Sequence, residues 1–97
     1  MKNNKLLKAL QIAEVNLKEM YYLLEVQTYG YTICESIDAY FWKKHSQDNY
    51  HFSVPARLIE LKEMFTEMAE DEEIIGSLDE LDKVFITRSL TAINKAI

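Results

Sequence analysis

The sequence is poor in the two residues that most often interrupt secondary structure, with two glycines and one proline among 97 residues. Turn-rich β folds and disordered chains use far more of both, so the composition argues against either class. The longest unbroken apolar run is MYYLL, at positions 20–24, which is much too short to cross a bilayer. We therefore expect an ordered protein built from helices, with no transmembrane segment.

Groups that perform chemistry are also scarce. The single cysteine, Cys34, excludes an internal disulfide and suits a reducing cytoplasm. His45 and His51 lie six positions apart and do not share a helical face, as paired metal ligands do. No phosphate-binding loop, dinucleotide-binding glycine pattern or serine nucleophile elbow is present. We therefore expect no metal, no cofactor and no catalytic residue, and we predict that the protein is not an enzyme.

What the sequence does contain is one long amphipathic segment, residues 5–29. Its apolar residues recur at alternating steps of four and three, at Leu6, Leu10, Ala13, Leu17, Met20 and Leu24. This spacing is that of one helical face. Gly30 suits the position just past a helix end, and Thr32 with Glu35 forms a capping box that opens a second helix. One continuous helix through Gly30 is the alternative.

Three further helices are predicted, over residues 33–47, 54–71 and 78–96. Gly76 is expected to stop the third helix, and Ser77 with Glu80 to form the capping box of the fourth. Short connections then predict an all-α fold, a single-domain antiparallel four-helix bundle over residues 1–97 with a long first helix. Because the first helix is longer than the others, its first turns are expected to project and to offer an apolar seam to a homodimer.

The charges are unevenly distributed along a chain whose net charge is −5. Residues 60–82 hold ten acids and one base, a net charge of −9, whereas the rest of the chain, with ten bases and six acids, has a net charge of +4. In an antiparallel bundle the acids meet at one end. The bases that gather toward the other end are expected to be Lys2, Lys5, Lys8, Lys43, Lys44, Arg57 and Lys95. The acidic balance weighs against non-specific binding to DNA or to an anionic membrane.

Two overlapping groups of acids lie in this segment. Glu60, Glu63, Glu67 and Glu70 lie along one helical face, which we interpret as a solvated face rather than an acid–base pair. The four consecutive acids Glu70, Asp71, Glu72 and Glu73 are expected at a helix C-terminus, where the macrodipole disfavours them. Such local conflicts often mark functional sites. The alternative is a helix that ends by Glu70 and a loop that the acids keep solvated.

Arg88 is interpreted as structural, either snorkelling to solvent or pairing with an acid such as Glu14.

Nine of the eleven aromatic residues lie between Tyr21 and Phe52. The two helices of this region cannot bury all of them, and the residues most expected to stay exposed are Tyr22, Tyr29, Tyr31 and Trp42. Tyrosine and tryptophan are enriched among the residues that dominate protein interfaces. The alternative is an aromatic-rich core whose tyrosine hydroxyls reach solvent.

Together these features predict a small acidic protein that binds and inhibits or neutralises a partner with a basic surface, as immunity proteins, antitoxins and phage- or plasmid-encoded inhibitors do. The residues expected to bind the partner are Tyr22, Tyr29, Tyr31, Trp42, Glu70, Asp71, Glu72 and Glu73. The main alternative is a helical adaptor, subunit or chaperone that dimerises through the first helix. A nucleic-acid-binding regulator is less favoured because lysine and arginine clustering is thin. An enzyme is the least favoured class.

Overall fold

The computed structural model describes residues 2–25, 31–46 and 54–97. Five helices occupy these ranges: α1 (Lys2–Glu25), α2 (Tyr31–Ser46), α3 (Val54–Glu70), α4 (Glu72–Ser77) and α5 (Glu80–Ala96). The described ranges contain no strand, so the prediction of an all-helical chain is confirmed for them. The predicted end of the first helix and its break at Gly30 lie outside the described residues.

Helix α1 is the element on which the others pack. It contacts α2, α3 and α5, and α3 also contacts α5 and the short α4. The predicted seam forms its buried face, with Leu10, Ala13, Leu17, Met20 and Leu24 almost completely shielded from solvent. Because apolar side chains recur along α1 every three or four residues, one side of this helix can supply the core to three neighbours at once.

The first turns of α1 do not project, contrary to the sequence-based expectation. Ala9 and Leu10 are buried and Leu6 packs against the core. Helix α5 continues to Ala96, and Lys5 near the start of α1 lines the same groove as Ala96. The chain itself therefore covers the seam that was predicted to be open to a second copy.

The junction between α3 and α5 differs most from the prediction, because it contains α4. The carboxylate of Asp71 accepts hydrogen bonds from the backbone N–H groups of Glu73, at 2.9 Å, and Ile74, at 3.2 Å, and so caps this six-residue helix. Gly76 lies inside α4 and has no positive φ, so it does not stop a helix as predicted. Four helices were predicted, and the described ranges contain four long helices and a fifth, α4, of six residues.

Helix α5 begins two residues later than predicted, at Glu80. The predicted capping box of Ser77 and Glu80 is wrong, because Ser77 is the last residue of α4. Asp79 is the N-cap residue instead, and the buried carboxylate of Asp82 accepts its backbone N–H at 3.3 Å. Leu81 is 50% exposed, whereas Asp82 is buried. The hydrogen bond from Asp79 satisfies Oδ2 of the Asp82 carboxylate on this buried face.

Candidate functional site

The predicted partner-binding residues are spread over several elements. Tyr22 on α1 and Trp42 on α2 are 65% and 69% exposed, as expected. Tyr29 lies outside the described residues. Tyr31 begins α2, but its side chain is outside the described part of the chain. The four acids Glu70, Asp71, Glu72 and Glu73 are all exposed at the junction of α3 and α4.

The electrostatic reason for singling out these four acids is wrong for three of them. Only Glu70 ends α3. Asp71 caps α4, and Glu72 and Glu73 occupy its first turn, where the positive end of the helix macrodipole favours negative charge. The alternative, a helix that ends by Glu70, describes the junction better, although a capped helix follows rather than a loop. A dipole conflict therefore no longer marks these acids as a site.

A groove of about 320 Å³ lies between α2, α3 and α4. We call it the acidic groove. Its lining residues are Ile33 and Ser36 of α2, Ile74 of α4, and Glu60, Glu63, Met64, Glu67 and Met68 of α3. Of the residues that the structure describes, three carboxylates line it and no lysine or arginine does.

The spacing of residues along α3 explains how carboxylates and thioethers come to share this groove. Glu60, Glu63 and Glu67 follow one another at steps of three and four, and Met64 and Met68 lie beside them on the adjoining face. Met68 is buried and Met64 is half-buried, so one edge of the α3 core face continues into the groove.

The floor and the rim of the acidic groove differ in chemistry. Met68 and Ile33 are buried at its floor, and Ile74 is half-buried where α4 closes one end. Glu63 and Glu67 are exposed, and neither makes an ion pair with another described residue. The groove therefore offers soft apolar atoms below two solvated carboxylates. Methionine adapts its shape to irregular apolar partners, which suits a surface that receives a flexible side chain.

Two polar contacts hold α2 against α1 and so place one wall of the groove. The Tyr40 hydroxyl donates a buried hydrogen bond to Glu14 Oε2 at 3.1 Å. The Tyr21 hydroxyl donates to Asp38 Oδ2, also at 3.1 Å. Burial, and next the negative charge of Glu14, raise the pKa of Tyr40 well above its ordinary value of 10.0. The tyrosine therefore stays neutral and remains a donor at neutral pH.

Arg88 does not pair with Glu14, the acid suggested from the sequence. Glu14 accepts the hydrogen bond of Tyr40, and Arg88 is exposed on α5. The polar contact between α1 and α5 is made by other residues, since Asn16 Nδ2 donates to the buried Ser89 Oγ at 3.0 Å. Cys34 is buried, and its thiol donates to the Tyr21 carbonyl at 3.7 Å.

Comparison of the chain with protein-family models, curated proteins and solved structures found no match. Within the described ranges, no helix has the length and apolar character needed to cross a membrane. No group of three or more histidine, cysteine, aspartate or glutamate side chains among the described residues is placed to hold a metal ion. The functional argument therefore rests on the chemistry of the surface.

Sequence reasoning found the acids of α3 but missed the groove. Their spacing indicates a common face, and a common acidic face is usually only solvated. Whether that face borders a cavity depends on where α2 and α4 lie, and spacing within α3 carries no information about either. The one available signal was the pair Met64 and Met68, two large apolar residues directly beside the acids.

Proposed function

We propose that this chain is a small binding protein that inhibits or neutralises a protein partner, and that its acidic groove receives a basic segment of that partner. One observation carries the proposal: carboxylates and methionine side chains line the same groove. A lysine or arginine side chain has an apolar stem and a charged head. The thioether side chains of Met64 and Met68 suit the stem, and the carboxylates of Glu63 and Glu67 suit the head.

Charge outside the groove supports the same partner. Residues 60–82 have a net charge of −9, so a basic surface is attracted over a distance before contact is made. Glu72 and Glu73 directly precede Ile74, which lines the groove, and we assign them to its rim as steering charges. Tyr22, Trp42, Tyr29 and Tyr31 remain proposed as flanking contacts. The protein would act by covering a basic surface that its partner needs, in the cytoplasm, where the thiol of Cys34 stays reduced.

We also propose that α1, α2, α3 and α5 form an antiparallel up-and-down bundle and that α4 is part of a connection. The contacts between α1 and α2 support this arrangement, because they run in opposite directions along the two helices. Glu14, in the middle of α1, meets Tyr40 toward the end of α2. Tyr21, later in α1, meets Cys34 near the start of α2.

The proposed site is tested by removing charge from the groove alone. A fluorescent amphipathic peptide with lysines beside a leucine stripe serves as the probe, and its affinity is measured by anisotropy at several salt concentrations. We expect Glu63→Gln with Glu67→Gln to weaken binding about tenfold and to reduce its salt dependence. The matched control is Glu19→Gln with Glu35→Gln, which removes the same charge from exposed positions on α1 and α2 and should change affinity less than about twofold.

If both double variants lose the same affinity, only net charge matters and the groove is not the site. If neither loses affinity, the proposal fails. The double variant Glu72→Gln with Glu73→Gln distinguishes long-range attraction of the peptide from direct contact with it. It should lower the association rate and leave the dissociation rate unchanged, since charges at a rim act mainly on the encounter.

A dimerising adaptor, subunit or chaperone is the second candidate, and one observation favours it. Leu7, Val15 and Tyr22, spaced by eight and seven residues along α1, are all exposed. A second copy of the chain could cover this stripe. Sedimentation equilibrium should then give a dimer that Val15→Glu dissociates and that Val84→Glu, at an exposed valine of α5, does not. A monomer at all concentrations would rule this candidate out.

A further inference from the structure

A second groove, of about 580 Å³, lies between α1 and α5. Four of its lining residues are cations: Lys5 and Lys8 of α1, and Arg88 and Lys95 of α5. Among the described residues no acid lines it, and none of the four cations forms an ion pair with a described residue. We call it the basic groove. Lys5, Lys8 and Lys95, three of the seven cations that were predicted to gather at one end, line this groove together, whereas the addition of Arg88 was not predicted.

Three alanines and Ile12 line the basic groove between its cations, and Thr87 and Thr91 of α5 line it as well. Ala9 is buried, Ala92 and Ala96 are half-buried, and Ile12 remains 39% exposed at the edge. Methyl groups at these positions leave room for another backbone to approach closely. The alanines lie between Lys5 and Lys8 of α1 and Arg88 and Lys95 of α5. Because the groove runs between two helices, it suits an elongated ligand.

The same face of α5 stays apolar beyond the groove. Leu81, Val84 and Arg88 follow one another at steps of three and four, and both apolar residues are exposed. From Leu81 to Lys95 this face is about 21 Å long, or close to four helical turns. An occupant that uses the whole face therefore has the length of an ordinary helix.

We propose that the basic groove binds an amphipathic helix of a partner protein, one that carries acidic residues on both sides of an apolar stripe. Such a helix lays its stripe on the alanines and places its carboxylates against the cations of α1 and α5. Charge complementarity selects this occupant. A second copy docked through the same face would oppose like charges, which is unfavourable. A nucleic acid backbone has no apolar stripe to cover Ile12 and the alanines.

This inference does not depend on the acidic groove. If both hold, the molecule has two grooves of opposite charge on different helix pairs, α2/α3 and α1/α5, and it can bind a basic segment and an acidic helix together. An inhibitor built in this way would join its target to a second protein.

The test uses a fluorescent peptide of about 18 residues, long enough for five helical turns, with glutamates beside a leucine stripe. We expect it to bind at least about tenfold more tightly than the same peptide with lysines in place of glutamates. Arg88→Glu should weaken binding about tenfold, whereas Lys62→Glu, the same charge change at an exposed site of α3, should change it less than about twofold. Circular dichroism confirms that each variant folds.

Ala92→Leu changes no charge but fills the groove, so it should also weaken the binding of the glutamate peptide. Equal affinity for the two peptides, or no binding of the glutamate peptide at about 1 mM, would overturn the inference. Equal loss in the Arg88 and Lys62 variants would also overturn it. Tighter binding of a labelled DNA duplex than of the glutamate peptide would overturn it as well, if that binding depends on Arg88. The groove would then be a phosphate-binding site.

Discussion

At the scale of single residues, buried polar groups fix how the helices lie on α1. Tyr40 joins α2 to α1 through Glu14, and Ser89 joins α5 to α1 through Asn16. A buried donor or acceptor that loses its partner costs more than the hydrogen bond contributes, so such contacts favour one arrangement over others of similar apolar burial. Each groove borders one of the helices positioned by such a contact.

Tyr40→Phe tests the most buried of these contacts. The substitution keeps the ring but removes the hydroxyl that donates to the buried Glu14 Oε2, so the free energy of unfolding should fall by about 1–3 kcal/mol at pH 7. Urea denaturation measures the change. Tyr22→Phe is the control, because Tyr22 is largely exposed and its hydroxyl should contribute little. Equal stability of the Tyr40 variant and the parent would show that the buried hydrogen bond is not stabilising.

The pH dependence of this difference follows from the raised pKa of Tyr40. A group whose pKa is higher in the folded state than in the unfolded state stabilises the fold fully below its unfolded value, here about pH 10, and loses that contribution as pH rises through its folded value. The Phe variant lacks the group. The stability difference between parent and variant should therefore be constant below about pH 9 and shrink above about pH 10. A difference that widens at alkaline pH would contradict the assignment.

At the scale of elements, α4 is the shortest of the described helices, and it contains a glycine that lowers its stability. Gly76 is helical, has no positive φ, and a Cβ built on it would meet no atom within 4 Å. Gly76→Ala should therefore raise the free energy of unfolding by about 0.4–1 kcal/mol. The matched change in the opposite direction, Ala69→Gly at an exposed position of α3, should lower it by about 0.5–1 kcal/mol. Destabilisation by Gly76→Ala would mean that the glycine is needed for the turn into α5.

The long helices could be predicted from spacing, whereas α4 could not. The apolar seam of α1 is buried as its spacing predicted, and Leu58, Leu61 and Phe65, spaced by three and four along α3, are buried too, because burial of a continuous face dominates in a long helix. In α4, Ile74 and Ile75 pack against the core, and this contact stabilises a helix of only six residues. Local signals alone, four consecutive acids and a glycine, favoured an end to helical structure.

At the scale of the whole molecule, the separation of charge was predictable but its location was not. The counts of acids and bases along the chain indicated an acidic side and a basic side. The grooves that hold these charges form between helices distant in sequence, α2 with α3 and α1 with α5. Which face of α5 points outward depends on how it packs on α1 and α3, and spacing within α5 does not reveal that packing.

The central claim, that the acidic groove receives a basic segment, is tested most directly by the methyl signals of methionine. The chain contains four methionines, and Met64 and Met68 line the groove whereas Met20 is fully buried in the α1 seam. In a protein labelled with ¹³C at the methionine methyl groups, titration with the lysine peptide should shift the Met64 and Met68 signals and leave Met20 unchanged. If the peptide binds while both groove signals stay in place, the basic segment lies elsewhere and the claim is wrong.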